Sequence, residues 1–401
     1  MIEEKAMKES ETVRTLLIGA GGYGAKIAAD LLQNSASYGV RLVGVADPAF
    51  DSLPARDEFL SRGIPHFASP EEFFAREKAD LAIVCTPIPL HESHVVLALE
   101  NGCDVLCEKP VAALPEQALR MKEAAEKAKR HLNIGFQLSY TPSILELKKD
   151  VLSGVFGKPV RFSSLTLWPR SRAYYARSWC AKRLWHSLPA FDSIAMNACA
   201  HTLHLMFFLL GDSLSSSAFP EEAEMLLLRA NDIETFDTSF FRIFSKGVEL
   251  RFLASHTVRE KQDPVVRLEF ENAVVFVRHS AAPDAVSARF SDGAVLRYGS
   301  VADHIFDKIP YAAEVFRGRK EPVCTVDTAL PQLVAVDAAN RLAEPFVVKS
   351  PETVGDVVTV PGLEEIAKGS FESNQMPWEI TKRFGDPARV IFRDRKGEKK
   401  A

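Results

Sequence analysis

The stretch VRTLLIGAGGYG, residues 13–24, joins a short apolar run to a turn rich in glycine. The run Val13–Ile18 is typical of a strand, and the residues after Gly24 have helical spacing. A G-x-G-x-x-G pattern between a strand and a helix is the context in which dinucleotides bind. Its glycines permit a tight turn, close approach of the backbone to a pyrophosphate, and packing of helix on strand. Unless the turn is purely structural, the predicted binding residues are Gly19, Gly21, Gly22, Tyr23 and Gly24.

Short apolar runs continue to alternate with helical segments as far as Phe136, which predicts an α/β domain with a doubly wound parallel sheet. The further predicted strands are Arg41–Ala46, Leu81–Cys85, Asp104–Cys107 and Leu132–Phe136. After Tyr140 the pattern changes to β-rich runs separated by turns, which predicts an α+β domain with a mostly antiparallel sheet. We therefore expect a dinucleotide-binding domain at residues 12–138, a second domain at 139–392 and a frayed tail at 393–401.

Polar residues follow several of these strands at their carboxyl ends, the edge where open α/β sheets bind ligands. Asp47 ends the second strand, where a carboxylate accepts hydrogen bonds from an adenosine ribose and repels a 2′-phosphate. NAD is therefore favoured, and NADP stays open because Arg56 is near in sequence. The other predicted cofactor-binding residues follow the next two strands and are Thr86, Pro87, His91, Glu108 and Lys109.

The composition of the whole chain excludes several classes of protein. Its 401 residues are 47% hydrophobic and 25% charged, which are ordinary globular values, and the net charge of −4 argues against a nucleic-acid partner. No apolar run reaches the ~18 residues of a membrane span, and the amino terminus MIEEKAMKES has no apolar signal core. With six cysteines expected as reduced thiols, we predict a cytoplasmic protein.

Four motifs together resemble the Gfo/Idh/MocA oxidoreductases, the family of glucose–fructose oxidoreductase and inositol dehydrogenase. They are GAGGYG at 19–24, VADP ending at Asp47, TPIPLH at 86–91 and CEKPVA at 107–112. The resemblance implies a Rossmann domain, an α+β domain with a large open sheet, and NAD(P) as cofactor. It also implies a homodimer or homotetramer formed through that sheet.

The family's helix motif D-x-G-x-H-x-x-D is matched only in part, which indicates a divergent branch. The chain has NACAHTLH at 197–204, so Asn197 and His204 replace both carboxylates and His201 is retained. Positions 197, 201 and 204 are i, i+4 and i+7 on a helix predicted over 193–210, so they would share one face. Without a carboxylate on that face we predict no metal site.

The candidate catalytic residues are Lys109, His201 and Asn197. An imidazole with an ordinary pKa near 6.5 suits proton transfer at neutral pH, so His201 is the expected general acid and base. The ammonium of Lys109 would stabilise developing alkoxide charge, and Asn197 would bind a substrate hydroxyl. His204 is a candidate substrate-binding residue. Because its neighbours in the sequence are apolar, a position in the hydrophobic core is the alternative.

The segment Trp168–Trp185 contains five basic and five aromatic residues and no acid. We predict a substrate-side loop, because aromatic faces stack on sugar rings and arginine binds carboxylate or phosphate. A subunit interface or a packed crossover is the alternative. Its candidate residues are Arg170, Tyr174, Tyr175 and Arg177, which suggest an acidic sugar derivative, and Asp192 and His256 are further polar candidates without a predicted position.

The sequence thus predicts an NAD(P)-dependent oxidoreductase that transfers hydride between nicotinamide and a hydroxyl or carbonyl group of a sugar, cyclitol or related polyol. Two alternatives stay open. The first is a lyase or hydrolase in which bound NAD is recycled by transient oxidation. The second is a dinucleotide-binding regulator without catalysis, which the loss of the helix carboxylates keeps open.

Overall fold

The computed structural model of the chain describes residues 12–392, and the predicted tail at 393–401 lies outside them. It divides into two compact units, with one division after Tyr140, close to the predicted boundary at 138. The segment Ile305–Val326 belongs to the first unit. This differs from the predicted second domain, which ran without interruption over 139–392. No helix in this part of the chain is both long and apolar enough to cross a bilayer.

The first unit is built on a six-stranded parallel sheet of order β3-β2-β1-β4-β5-β6. Its strands are β1 Val13–Ile18, β2 Val40–Ala46, β3 His66–Phe67, β4 Leu81–Val84, β5 Asp104–Cys107 and β6 Leu132–Ile134. Its helices are α1 Gly24–Tyr38, α2 Arg56–Ser61, α3 Pro70–Phe74, α4 His91–Glu100, α5 Pro115–Ala128 and α9 Lys308–Phe316. The predicted strands agree with these to within two residues, and the predicted fold class is confirmed.

The strand order reverses between β1 and β4, which makes the carboxyl ends of these two strands the ligand-binding point of the sheet. All four residues of β4 and of β5 are buried, as expected where helices cover both faces. Helix α1 packs Ile27, Ala28 and Leu31 into the same core as Ile309 of α9. The late segment therefore completes the core of the unit that begins the chain.

The second unit contains a ten-stranded, mostly antiparallel sheet of order β16-β15-β14-β13-β7-β12-β11-β10-β17, with β20 also paired to β10. Its strands are β7 Pro159–Leu167, β8 Leu184–Trp185, β9 Leu188–Pro189, β10 Glu222–Arg229, β11 Thr238–Ser245, β12 Val248–Ser255, β13 Gln262–Phe270, β14 Ala273–Arg278, β15 Val286–Phe290, β16 Val295–Gly299, β17 Phe346–Val347, β18 Glu352–Val354, β19 Val357–Thr359 and β20 Ala388–Ile391. Its helices are α6 Pro142–Ser153, α7 Arg172–Tyr175, α8 Ala200–Leu209, α10 Val326–Leu342, α11 Leu363–Ser373 and α12 Pro377–Ile380.

One part of this sheet is covered by the chain's own carboxyl-terminal segment. Leu165, Phe240 and Leu253 from three strands pack in one buried cluster with Leu363 of α11 and Trp378 of α12. Homo-oligomer formation through the sheet stays a prediction.

Candidate functional site

The glycine turn after β1 has two crowded positions and two open ones. A Cβ on Gly19, whose φ is +86°, would lie 2.9 Å from the carbonyl carbon of Cys85, and one on Gly24 would overlap the carbonyl oxygen of Gly19. At Gly22 a Cβ would meet nothing within 4 Å, and at Gly21 only a Leu53 methyl at 3.9 Å. The turn is thus tightly packed against its own unit but open towards solvent, which fits the cradle of a dinucleotide.

Helix α1 begins directly after this turn, and its N-cap residue Tyr23 makes no side-chain cap to the first turn. The first N–H groups of a helix have no partner within the helix, and they carry the positive end of its dipole. The opening of α1 therefore provides donors for a pyrophosphate.

Asp47 is held beside the glycine turn at the carboxyl end of β2. Its Oδ2 accepts a hydrogen bond from the backbone N–H of Ala20 at 2.8 Å, and its Oδ1 accepts one from Ala49 at 2.9 Å. The residue is 8% exposed. Because each carboxylate oxygen has two lone pairs, both can still accept a ribose hydroxyl.

His91, a predicted cofactor contact, instead lies inside the first unit. Its ring nitrogens are 2.9 Å from the carbonyl oxygens of Pro110 and Thr86, and burial lowers its pKa. It therefore ties the segment after β4 to the segment after β5. Thr86 and Pro87 occupy the predicted place just beyond β4, and Thr86 Oγ1 is 3.2 Å from Nδ1 of His94.

Glu108 forms an ion pair with Lys308, a residue that the sequence analysis missed. Lys308 is 0% exposed and Glu108 5% exposed. Burial alone would lower the pKa of Lys308, but the Glu108 carboxylate raises it above its ordinary value. Nζ of Lys308 is also 3.4 Å from Oη of Tyr23 and 4.9 Å from the centre of its ring. The pair therefore connects the glycine turn with the residue before Lys109.

Lys109 is half-buried, and its backbone N–H donates to Oε2 of Glu108 at 3.2 Å. The carboxylate that pairs with Lys308 thus also fixes the main chain at the candidate catalytic lysine. One sequence signal could have revealed Lys308. Lys308 lies at i, Ala312 at i+4 and Val315 at i+7, on the buried face of α9. A lysine is rarely buried on such an apolar face unless it pairs with an acidic side chain.

The predicted helix over 193–210 is broken, so the prediction that Asn197, His201 and His204 share one continuous helical face is wrong. Ile194–Ala198 form a π-helical turn in which the N–H of Cys199 donates to the Ile194 carbonyl at 2.9 Å. Helix α8 begins only at Ala200. The wider turn inserts a residue and rotates Asn197 away from the α-helical register. His201 is half-buried in the first turn of α8.

His204 lies in the packed interior of the second unit. It is 1% exposed, and its ring stacks on Phe208 with centroids 5.8 Å apart. Burial, and secondarily the ammonium of Lys148, lower its pKa to about 3. This environment is that of a core histidine, so we remove His204 from the substrate candidates.

Asn197 is held by a carboxylate that precedes it in the chain. Its Nδ2 donates to Oδ1 of Asp192 at 3.0 Å, and the Ala181 N–H donates to Oδ2 at 2.7 Å. Asp192 is fully buried, and burial raises its pKa, while the hydrogen bonds from Ala181 and Asn197 oppose the rise. A carboxylate five residues earlier in the chain is thus hydrogen-bonded to the amide that stands at the first acidic position of the helix motif.

The predicted substrate residues come together around one ring, and we call Arg170, Tyr174, Tyr175, Arg177 and His256 the Tyr174 cluster. The Cζ atoms of Arg170 and Arg177 lie 4.8 Å and 4.2 Å from the centre of the Tyr174 ring. The Tyr175 ring lies at 5.2 Å and the His256 ring at 5.7 Å, both edge-on. His256 had no predicted position, and it enters because its Nδ1 is 2.8 Å from the carbonyl oxygen of Trp168.

Among residues 12–392 no group of three or more His, Cys, Asp or Glu side chains is arranged to hold a metal ion. The side chains that could hold a cofactor are those around the glycine turn. Those that could hold a polar substrate in the second unit are the Tyr174 cluster and the pair of Asp192 and Asn197.

Comparison with known proteins agrees with this geometry. The Gfo/Idh/MocA family model, described as "Oxidoreductase family, NAD-binding Rossmann fold", matches residues 13–136. D-glucoside 3-dehydrogenase of Escherichia coli is 31% identical over 154 residues, 38% of this chain and 43% of that protein. An inositol 2-dehydrogenase of Corynebacterium glutamicum is 31% identical over 170 residues, 42% of this chain and 50% of that protein. The matches thus span about half, or less, of these two relatives.

Solved structures extend the likeness in fold to the second unit. The WlbA dehydrogenase of Chromobacterium violaceum, solved with NADH and UDP-GlcNAcA, has a TM-score of 0.68 at 22% identity, over 83% of this chain and 95% of that one. UDP-N-acetylglucosamine 3-dehydrogenase GnnA of Acidithiobacillus ferrooxidans has a TM-score of 0.66 at 19% identity, over 82% and 97%. At these identities the likeness shows the fold alone. The resemblance drawn from the sequence motifs is confirmed.

Proposed function

We propose that this chain, which belongs to the Gfo/Idh/MocA oxidoreductases through its NAD-binding domain, is an NAD-dependent dehydrogenase or reductase acting on a hydroxyl or carbonyl group of a sugar, cyclitol or related polyol. The observation that carries the proposal is the glycine turn, open at Gly21 and Gly22, with the Asp47 carboxylate fixed beside it. The names of the relatives, D-glucoside 3-dehydrogenase and inositol 2-dehydrogenase, support the substrate class.

The residues around the turn favour NAD over NADP. Bound there, the nicotinamide would supply the hydride acceptor or donor. Asp47 would accept hydrogen bonds from the ribose hydroxyls and repel a 2′-phosphate. Arg56, which could have favoured NADP, is bonded to Asp51 at 3.2 Å and to Asp57 at 2.7 Å, so its charge is already matched.

Lys109 and His201 are the proposed catalytic residues. The ammonium of Lys109 would orient a substrate hydroxyl and stabilise negative charge developing on its oxygen. The imidazole of His201 would take the hydroxyl proton in oxidation and return it in reduction. Asn197, oriented by Asp192, would bind a neighbouring hydroxyl. The cytoplasmic location and the homodimer or homotetramer stay predictions.

The experiment follows NADH formation from NAD with D-glucose and myo-inositol, together with product analysis. We expect net NADH formation. Product formation without net NADH would replace the proposal with the redox-recycling alternative, and NAD binding without any product would replace it with the regulatory one. Lys109→Ala should lower kcat by roughly a hundredfold or more and leave NAD affinity within a few-fold. Lys127→Ala, an exposed lysine on α5 of the same unit, is the control and should change neither.

A further inference from the structure

Arg170 and Arg177 of the Tyr174 cluster form no ion pair among the described residues, although the buried carboxylate of Asp192 is near enough to interact electrostatically with Arg177. In the same unit, Arg161 and Arg267 of the sheet are paired, Arg161 with Glu249 at 2.8 Å and Arg267 with Glu269 at 2.9 Å. Within residues 12–392, by contrast, no carboxylate lies within ion-pair distance of Arg170 or Arg177. Two like charges that lie against one tyrosine ring repel each other, and cation–π attraction to the ring offsets this repulsion only in part. An anion placed between them would lower the energy of the cluster.

Three buried polar atoms in the cluster have no hydrogen-bond partner among the described residues: Nε of Arg170, Oη of Tyr175 and Nε2 of His256. A buried polar group without a hydrogen-bond partner destabilises a folded protein, and most buried polar groups are hydrogen-bonded. Arg170 Nε and Tyr175 Oη offer hydrogens. Three such atoms in one cluster indicate a polar ligand.

His256 supplies a hydrogen-bond acceptor beside these two donors. Its Nδ1 faces the carbonyl oxygen of Trp168, which can only accept, so Nδ1 carries the hydrogen. The side chain is 2% exposed, and burial, followed by the charge of Arg170, lowers its pKa to about 3. The imidazole is therefore neutral near pH 7, and Nε2 has a lone pair that can accept a hydrogen bond from a hydroxyl.

A cation that donates hydrogen bonds, a phenol hydroxyl and a nitrogen that accepts from a hydroxyl are what a sugar bearing an acidic group requires. We propose that the Tyr174 cluster is a binding subsite for an anionic sugar derivative, in which Arg170 binds the oxyanion and Nε2 of His256 accepts a hydrogen bond from a neighbouring hydroxyl. The aromatic ring of Trp168 would contact the apolar face of the sugar. This inference rests on the proposed function, for which it names the substrate class.

The test is titration calorimetry of the NAD-saturated protein with D-glucuronate, D-glucose 6-phosphate and D-glucose. One anionic sugar or both should bind at least about tenfold more tightly than glucose, since a hydrogen bond to a charged group contributes roughly 1.5–3 kcal/mol. The two anions distinguish a carboxylate from a phosphate as the recognised group. Equal binding of all three sugars, or no binding of either anion, overturns the proposal.

Variants separate the two roles. Arg170→Ala should weaken binding of the anionic sugar about tenfold or more and leave glucose within about twofold. Arg172→Ala is the matched control, an exposed arginine of the same segment whose side chain donates to Thr353 Oγ1, and it should change neither. His256→Asn keeps a donor near Nδ1 and removes Nε2, so it should weaken both sugars alike. An equal loss from Arg170→Ala and Arg172→Ala contradicts the subsite.

The same samples distinguish this inference from the proposed activity. If neutral sugars reduce NAD and Arg170→Ala does not discriminate between sugars, the activity stands and the subsite is refuted. If an anionic sugar binds with the predicted sensitivity to Arg170 and no sugar of either kind reduces NAD, the subsite stands and the activity is refuted.

Discussion

The glycine turn and the Tyr174 cluster are two candidate binding sites that are built from different parts of the chain. In the turn, backbone geometry makes the site, and the neighbouring side chain of Asp47 is already bonded to the main chain. In the cluster, side chains make the site, and Arg170, Tyr175 and His256 keep buried atoms without partners among the described residues. A site made by the backbone should tolerate few substitutions at its glycines. In a site made by side chains, a substitution should change the free energy of unfolding little and should lower the affinity for the ligand.

The largest effect is expected where the first unit breaks this rule, at the buried pair of Lys308 and Glu108. Lys308→Met leaves a buried carboxylate without its partner, which typically costs about 3–5 kcal/mol, a large part of a domain's stability. We expect the first unit to lose most of its NAD binding. Denaturant unfolding followed by far-ultraviolet circular dichroism would measure the loss in free energy of unfolding.

A double variant separates charge from packing at this pair. Adding Glu108→Gln to Lys308→Met removes the unpaired charge and should recover much of the lost stability. Tryptophan fluorescence offers an internal control, because Trp168, Trp179, Trp185 and Trp378 all belong to the second unit. A cost below about 1 kcal/mol for Lys308→Met would show that the pair does not stabilise the unit as its burial indicates.

The second effect separates the packed glycines of the turn from the open ones. In Gly24→Ala the new Cβ overlaps the Gly19 carbonyl oxygen, so the backbone must shift, at a cost of about 1–3 kcal/mol in stability. Gly21→Ala meets only a Leu53 methyl, so stability should stay within about 0.5 kcal/mol while NAD affinity falls about tenfold or more. Thermal unfolding and an NAD titration measure the two quantities. Equal losses of stability in both variants would contradict the distinction.

These two regions also show what the sequence can predict. The strands β1 and β5 have the predicted bounds, because buried strands are short apolar runs ended by glycine, proline or charge. Lys308 was missed because its partner Glu108 is 200 residues away, and no local pattern records that contact.

The break between Asn197 and His201 was missed for a different reason. Helix α8 is buried over nearly its whole surface, so its apolar residues have no period that would expose a change of register at Cys199. Asp192 and His256 could be named but not placed, because their neighbours Ala181 and Trp168 come from other segments. Local backbone motifs are therefore predictable, and clusters assembled by distant side chains are not.

The third effect is a dependence of stability on pH in the second unit. Buried His204 and His256 have folded pKa values of about 3, whereas an unfolded histidine titrates near 6.5. Between these values the unfolded state binds more protons, so stability falls as the pH falls, by about 1.4 kcal/mol per pH unit for each histidine. His204→Leu should remove the contribution of one proton, as measured by urea unfolding with tryptophan fluorescence at several pH values. An unchanged slope in His204→Leu would contradict its burial as a neutral group.

The smallest effect concerns Asp47, the side chain that is expected to distinguish NAD from NADP. Asp47→Asn keeps an oxygen that can accept from the Ala20 N–H and loses the negative charge, so stability should change by only about 1 kcal/mol. NAD affinity should fall by about tenfold, and the preference for NAD over NADP should narrow, because an amide repels a 2′-phosphate less than a carboxylate does. Titration of both cofactors measures the ratio, with the exposed Glu100→Gln of the same unit as a control for the loss of one negative charge. If the ratio stays the same in Asp47→Asn, the backbone of the turn alone selects the cofactor, and the contrast between the two regions becomes sharper than the structure implies.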